Sequence, residues 1–225
     1  MTNPTAAMLV IGDEILSGRT LDTNTQHLAA RLTQMGIRMA EVRVVPDVHE
    51  VIVEAVNALR AAYDHVFTSG GIGPTHDDIT AECIAAAFGV GIGIRDDARA
   101  ILQAHYDRSG LEFNAARQRM ARIPDGAALI DNPISSAPGF TIGNVHVMAG
   151  VPDVFHAMVA GVLPTITGGA PLLSQTLRVM RGEGEIAGDF AKLAAEFPEL
   201  QLGSYPFNTN GVYGTNLVIR GTDAG

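Results

Sequence analysis

Three times in the first ninety residues a short apolar run gives way to a stretch of helical period, and this alternation constrains the fold more than any other feature. The runs are AAMLVIG (6–12), IRMAEVRVV (37–45) and HVFTS (65–69). Between the first two, DTNTQHLAARLTQMG (22–36) places Leu28, Leu32 and Met35 on one face and stops at Gly36. Between the second and third, Asp47 and Glu50 read as a capping box ahead of Val51, Ala55, Leu59 and Ala62. After the third run comes TSGGIGPTHDDIT (68–80), then Ile79, Cys83 and Ala87 at helical spacing. Strands that alternate with helices in this way form a parallel sheet covered on both faces.

Downstream, residues 96–122 read as helical with a break at Gly110. FTIGNVHVM (140–148) carries a Gly-Asn turn between two apolar runs, the mark of a hairpin, and a helix is expected from about Asp153 to Leu163. Pro164 to Pro171, with Gly168 and Gly169, reads as a linker. Beyond it QTLRVM, EIAGDFAKLAAEF, LQLGSY and NLVIR spell a small β-α-β-β unit. Two domains are therefore expected, 1–168 and 171–225, in a chain of 225 residues that has room for one sizeable α/β domain and a small companion.

Bulk composition removes several function classes. The net charge is −9, with no cluster of Lys or Arg, which argues against a nucleic-acid partner. Lys192 is the only lysine, so neither Schiff-base chemistry nor a P-loop lysine is expected. Cys83, the single cysteine, excludes an internal disulfide and suits a reducing cytoplasm, where it reads as a small apolar residue on the inner face of a helix. Mean hydropathy is +0.18, yet no apolar run approaches the ~18–20 residues of a membrane span, and no signal-like segment opens the chain. A cytoplasmic protein with no membrane partner is expected. The apolar surplus (47% of residues) is then buried in the core or between copies of a homo-oligomer.

The candidate site begins with TSGGIGPTHDDIT. A strand, a glycine turn and a helix start together present backbone N–H groups to a phosphate, at the sheet edge where ligands bind. Asp77 and Asp78 conflict with that reading, because both repel phosphate. One aspartate alone is an ordinary helix cap. Two beside such a loop point to a divalent cation bridging carboxylate and phosphate oxygens, as Mg²⁺ does. The first strand ends similarly: Gly12 is followed by Asp13 and Glu14, then Ser17, Gly18, Arg19, Asp22 and Asn24. If strands one and three are neighbours, Asp13 faces Asp78 across one crevice, and Arg19 is the nearby cation that could hold a second phosphate. Gly-x-Gly-x-x-Gly fails at His76, and the P-loop, Gly-x-Ser-x-Gly and His-Glu-x-x-His patterns are absent. His76 itself reads as an exposed loop residue.

GDEILSGRTLDTN, TSGGIGPTHDDIT, DNPISSAPGF and GVP stand in one order and spacing, and together they resemble the molybdopterin-binding (MoaB/Mog-like) domain. The form is that of the N-terminal part of competence/damage-inducible protein A (CinA), and RGEGEIAGDFAKLAAEFPELQLGSYP resembles the small domain that follows it there. The resemblance covers nearly the whole chain. It implies a three-layer αβα domain with a mostly parallel, mixed sheet, followed by a small α+β domain, in a dimer or trimer. It places the site between the first-strand Gly-Asp and the glycine turn. Carried over by position, the catalytic and metal-holding residues are Asp13, Asp77 and Asp78. The ligand-binding set is Gly12, Arg19, Asn24, Ser69, Gly70, Gly71, Gly73, Pro74, Thr75, Thr80, Asn132, Pro133, Ser136, Pro138 and Gly139.

Within the family Asp78 is the general position, and Asp77 belongs to the CinA-type subgroup. Ser135 and Ser136 replace the family's Gly-Thr, and Ala149 replaces a proline. The amidase-type domain common in CinA proteins has no counterpart in this sequence, so nicotinamide-nucleotide deamidation is not expected. The resemblance implies a Mg²⁺-dependent nucleotide pyrophosphatase acting on ADP-ribose-like substrates. Its alternatives are molybdopterin adenylylation, with molybdopterin as ligand, and a non-catalytic binding or assembly module.

Overall fold

The computed structural model describes residues 3–222, so the expected domain ends at 1 and 225 lie outside the described residues. The chain divides into two compact units, one formed by residues up to Gly169 except Gln34–Gly36, and one formed by Gln34–Gly36 with the residues from Ala170 on.

In the first unit the elements run β1 (Thr5–Ile11), α1 (Asp13–Leu16), α2 (Asn24–Gln34), β2 (Arg38–Val45), α3 (His49–Ala62), β3 (His65–Ser69) and α4 (Thr80–Phe88). Then follow β4 (Ile92–Ile94), α5 (Asp96–Ser109), α6 (Ala115–Gln118), β5 (Arg122–Pro124), β6 (Ala128–Ile130), β7 (Gly139–Ile142), β8 (Val145–Met148) and α7 (Pro152–Val162). The main sheet has the order β2-β1-β3-β8-β7-β6. β2, β1, β3 and β8 are parallel, while β7 and β6 run antiparallel to their neighbours, so the sheet is mixed as expected.

Alternation along the strands separates the two faces. Ala7, Leu9, Ile11, Val66, Val145 and Val147 point to one face and join a buried core with Ile52, Val56 and Leu59 of α3, Ile84 of α4 and Leu102 of α5. The other layer draws on α2 and α7, whose Leu28, Leu32, Phe155, Met158 and Val159 are buried. His27 of α2 stacks on His156 of α7 with ring centroids 3.6 Å apart. The result is a three-layer αβα unit. The four parallel strands carry their C-terminal ends to one edge, so Gly12, Asp47, Gly70 and Gly150 all follow strands at that edge.

Two stretches depart from the sequence reading. The helical pattern of 96–122 ends at Ser109, where Gly110 takes a left-handed φ of 66°, and after α6 and one 3-10 turn the chain becomes β5. β4, β5 and β6 are three residues each, too short to leave a periodic signal. The capping box at Asp47 and Glu50 is also absent. Val48 is the N-cap of α3, it makes no side-chain cap bond, and the Asp47 carboxylate turns elsewhere.

The second unit contains β9 (Leu173–Val179), α8 (Glu183–Glu196), β10 (Gln201–Thr209) and β11 (Val212–Gly221). Its antiparallel sheet has the order β10-β11-β9, the β-α-β-β unit that the patterning predicts. Asn210 and Gly211, both at positive φ, make the two-residue turn between β10 and β11. Among the described residues no helix is long and apolar enough to cross a membrane.

Candidate functional site

The glycine turn leaves the C-terminal end of β3 with Gly70 at φ 106° and Gly71 at φ 70°, conformations that side-chain-bearing residues rarely adopt. A Cβ on Gly70 would also meet the Ile11 carbonyl, and one on Gly71 would meet the Thr80 hydroxyl. The turn is pinned from below. Gly70 N–H donates to the Met148 carbonyl (3.2 Å), Thr80 N–H to the Gly71 carbonyl (3.0 Å), and Thr80 Oγ1 to the Gly70 carbonyl (3.0 Å). Two expectations change as a result. Thr80 is fully buried and braces the loop instead of facing a ligand. The Gly70 amide belongs to the sheet, which leaves the amides of 71–73 as the candidate anion donors.

Asp77 and Asp78 stand in the turn before α4, whose N-cap is Ile79, so neither caps the helix. Asp78 Oδ2 accepts from Thr75 N–H (2.8 Å) and Thr75 Oγ1 (2.5 Å), which folds the 75–78 turn onto itself and sets Thr75 as a brace. A Cβ on Gly73 would meet the Asp78 carboxylate, so the loop and this aspartate touch. The Asp77 carboxyl is held below its usual range, first by the nearby Thr75 side chain and then by its own backbone. His76 is fully exposed, as expected.

Across the edge, Asp13 N–H donates to Asp47 Oδ2 (3.0 Å). Burial raises the Asp47 carboxyl above its usual range, and repulsion from Asp13, Glu14 and Asp77 adds to the rise, while the bond from Asp13 opposes it. Asp47 is thus the acidic residue that sequence reasoning missed, because the Asp-x-x-Glu spacing disguised it as a cap. Among the described residues no three Asp, Glu, His or Cys side chains converge closely enough to cage a cation. The expected trio of Asp13, Asp77 and Asp78 is therefore not a preformed cluster. Asp13 pairs with Asp47, Asp77 lies within electrostatic reach, and Asp78 is drawn toward Thr75.

Two recesses flank the turn. One is lined by Gly71, Gly73, Asp78, Glu82, Arg119 and Arg122, with Pro138 and Phe140. Arg119 Nη2 donates to the Asp78 carbonyl (3.3 Å), and Arg122 pairs with Glu82. The second recess is lined by Ile11, Asp22, Asn24, Ser69, Gly70 and Gly150 among others. Asn24 is buried, and its Nδ2 donates to Ser69 Oγ and to the Gly150 carbonyl, both at 2.8 Å. That bond pair ties the start of α2 to the ends of β3 and β8. Arg119 and Arg122 went unread because their segment looked like the continuation of a helix. Arg19, the expected second-phosphate cation, is exposed on the turn after α1 and lines neither recess.

The remaining expected ligand residues are mostly architectural. Asn132 is buried with every polar atom spent in its own turn: Oδ1 accepts from Ile134 N–H (3.0 Å) and Ser135 N–H (3.1 Å), and Nδ2 donates to Ser135 Oγ and the Ala137 carbonyl. Gly139 is buried where a Cβ would meet the Val147 carbonyl, so it serves the β7–β8 contact. Ser136 takes a left-handed φ of 62° and its Oγ lies 3.1 Å from His105 Nδ1. Pro133 and Pro74 are exposed, and Gly12 is buried with its N–H on the Val45 carbonyl.

Comparison with known proteins gives this geometry its context. Residues 7–168 match the family described as "Probable molybdopterin binding domain", and residues 171–225 match "FAD synthase, middle domain". A CinA-like protein of Citrifermentans bemidjiense is 41% identical over 167 residues, covering 72% of this chain and 40% of its own length. A probable FAD synthase of Caenorhabditis elegans is 34% identical over 96% of this chain and 46% of its own length, so the chain spans less than half of either relative. A protein of Pyrobaculum calidifontis is 34% identical over 90% of this chain and 81% of its own length. Among solved structures, the protein CinA of Thermoplasma acidophilum, titled as of unknown function, superposes with a TM-score of 0.67 at 32% identity, over 73% of this chain and 99% of that one. The chain belongs to the molybdopterin-binding domain family, in its CinA-like form.

Proposed function

We propose that the chain is a Mg²⁺-dependent nucleotide pyrophosphatase that cleaves an ADP-ribose-like dinucleotide. The observation that carries the reading is the left-handed turn at Gly70 and Gly71, pinned from below by Thr80, with Asp13, Asp47, Asp77 and Asp78 around it. A diphosphate needs donors and positive charge, and carboxylates alone would repel it. The donor set is all oxygen, which suits a hard cation. Mg²⁺ takes one or two carboxylates and keeps waters and substrate phosphates for the rest, so it needs no three-ligand cage, and none forms among the described residues. Asp47, raised by burial and then by its acidic neighbours, marks where positive charge would be welcome. Asp13 and Asp77 would hold the ion, with Asp47 and Asp78 beside them. When bound, the ion would supply charge neutralisation and Lewis acidity.

The chain's own residues do the remaining work. The 71–73 amides donate to the phosphoryl oxygens where negative charge develops. Thr80 and the Met148 carbonyl hold the turn in shape while this happens. One of the carboxylates takes the proton of the attacking water. The water oxygen bonds to one phosphorus, the bridging P–O bond breaks, and two phosphate monoesters leave, AMP and ribose 5-phosphate if the substrate is ADP-ribose. The likeness to a probable FAD synthase supports an adenine-bearing diphosphate as ligand.

The test is incubation with ADP-ribose and Mg²⁺, followed by chromatography of the products. AMP and ribose 5-phosphate that appear only with the metal, and vanish in Asp77→Asn, are expected. An independent readout is the melting temperature, which should rise with Mg²⁺ in the wild type and not in Asp13→Asn. Intact ADP-ribose after prolonged incubation would sink the reading. Adenylylated pterin from molybdopterin and ATP would replace it.

A further inference from the structure

We infer that Arg119 is the phosphate-binding cation of the site, the charge that closes on a diphosphate seated over the glycine turn. The inference rests on the diphosphate reading above. Gly71 and Gly73 line a recess beside the turn. Four charged side chains open onto it: Asp78, Glu82, Arg119 and Arg122. Three of them are occupied. Arg122 is in direct contact with Glu82, and Asp78 is held by the N–H and hydroxyl of Thr75.

Arg119 is the exception. Its Nη2 makes one long bond, 3.3 Å, to the Asp78 carbonyl, and stands 3.8 Å from a Glu82 oxygen that Arg122 already engages. Its Nε is buried and has no hydrogen-bond partner. A guanidinium has five donors, and leaving a charged group's donor unpaired in the interior is costly. Such an atom calls for an explanation. The fork is anchored to the turn by one donor, and phosphate oxygens are its best-matched bidentate acceptors.

The recess has room for about one water molecule (about 20 Å³), so a phosphate sits at its mouth, not within it. Gly71 and Gly73, which carry no side chain, line the same recess. The Arg119 side chain lines the same recess and keeps about a third of its surface exposed (35%). Lysine would deliver charge to that place without the fork. The position also separates two jobs. Bonded to the Asp78 carbonyl, Arg119 braces the turn, and turned to phosphate it binds.

Titration calorimetry in Mg²⁺ buffer with ADP-ribose, inorganic pyrophosphate and adenosine tests this. Arg119→Gln should weaken ADP-ribose and pyrophosphate at least tenfold and leave any adenosine binding unchanged. Arg119→Lys should recover part of the loss, and Arg108→Gln, an exposed change on α5, should have no effect. Melting temperatures identify a variant that fails to fold, in which case Arg119→Lys alone must show a weaker affinity for pyrophosphate than the wild type. Affinities within twofold of the wild type in well-folded Arg119 variants would overturn the inference. So would a wild type that binds neither phosphate compound. Tight, Arg119-dependent binding of ADP-ribose without hydrolysis would sustain Arg119 and refute the hydrolase instead.

Discussion

Gly70 and Gly71 are the residues on which the site's shape depends, and they should differ in their tolerance of a side chain. Both hold a left-handed φ, but the obstacle to a Cβ at Gly70 is the main-chain carbonyl of Ile11, whereas at Gly71 it is the Thr80 hydroxyl. Gly71→Ala should therefore cost about 1–3 kcal/mol, and Gly70→Ala more, measured by urea denaturation. Equal costs would mean that the backbone angle alone decides.

His146 makes a separate prediction. Burial, helped by the neighbouring His65, pushes its pKa down to about 4, and the ring sits on Thr141 Oγ1 at 3.0 Å. A folded pKa below the unfolded value of 6.5 means that the unfolded chain binds the extra proton. This contribution to stability is complete above pH 6.5 and is lost as the pH falls toward 4, on the order of 3 kcal/mol in all. Denaturation curves at pH 7 and pH 4.5 should show a loss that His146→Leu diminishes. A slope unchanged by that substitution would place the acid sensitivity elsewhere.

At the level of elements, the edge of the sheet is assembled by side chains that cross between strand ends. Asn24 ties the start of α2 to Ser69 and Gly150, and the Asp13 amide ties α1 to Asp47 after β2. Asn24→Ala would leave the Gly150 carbonyl without its donor. A loss of about 1–3 kcal/mol is expected, with amide exchange quickening at the start of α2 before the centre of the sheet. Uniform acceleration across the first unit would contradict a local tie. Asp78 joins this class: Asp78→Asn keeps an acceptor for Thr75, so the turn should hold while metal-dependent turnover falls. Unfolding of that variant would show that the charge itself is structural.

For the whole molecule, the division after Gly169 predicts that a fragment ending there folds, because the residues of its core all precede that point. Aggregation of that fragment would mean that it needs the C-terminal unit. Exposed Val42, Val44, Val48 and Val51 lie along the outer strand β2 and the start of the helix that follows it, on a chain that is 47% hydrophobic. We therefore expect a homo-oligomer that persists at high salt, since apolar contacts are not screened. Light scattering after gel filtration decides it, and a mass near 23.6 kDa would count against it.

The residues by themselves determined the alternation of β1 to α4, the hairpin of β7 and β8, the β-α-β-β pattern of the second unit and the glycine turn. Each rests on local physics: periodicity that matches burial, and glycines where φ turns positive. The tertiary structure alone decided which charges share a site. Asp13 meets Asp47 only because β1 lies beside β2, and Arg119 reaches Asp78 from forty-one residues away, out of a 3-10 turn whose sequence reads as the continuation of a helix. It also decided that Thr80, Asn132 and Gly139 support the architecture, since a hydroxyl or an amide is spent only when a partner is brought to it. Sequence spacing records what neighbours along the chain can do, and a charge brought in from a distant segment leaves no trace in it.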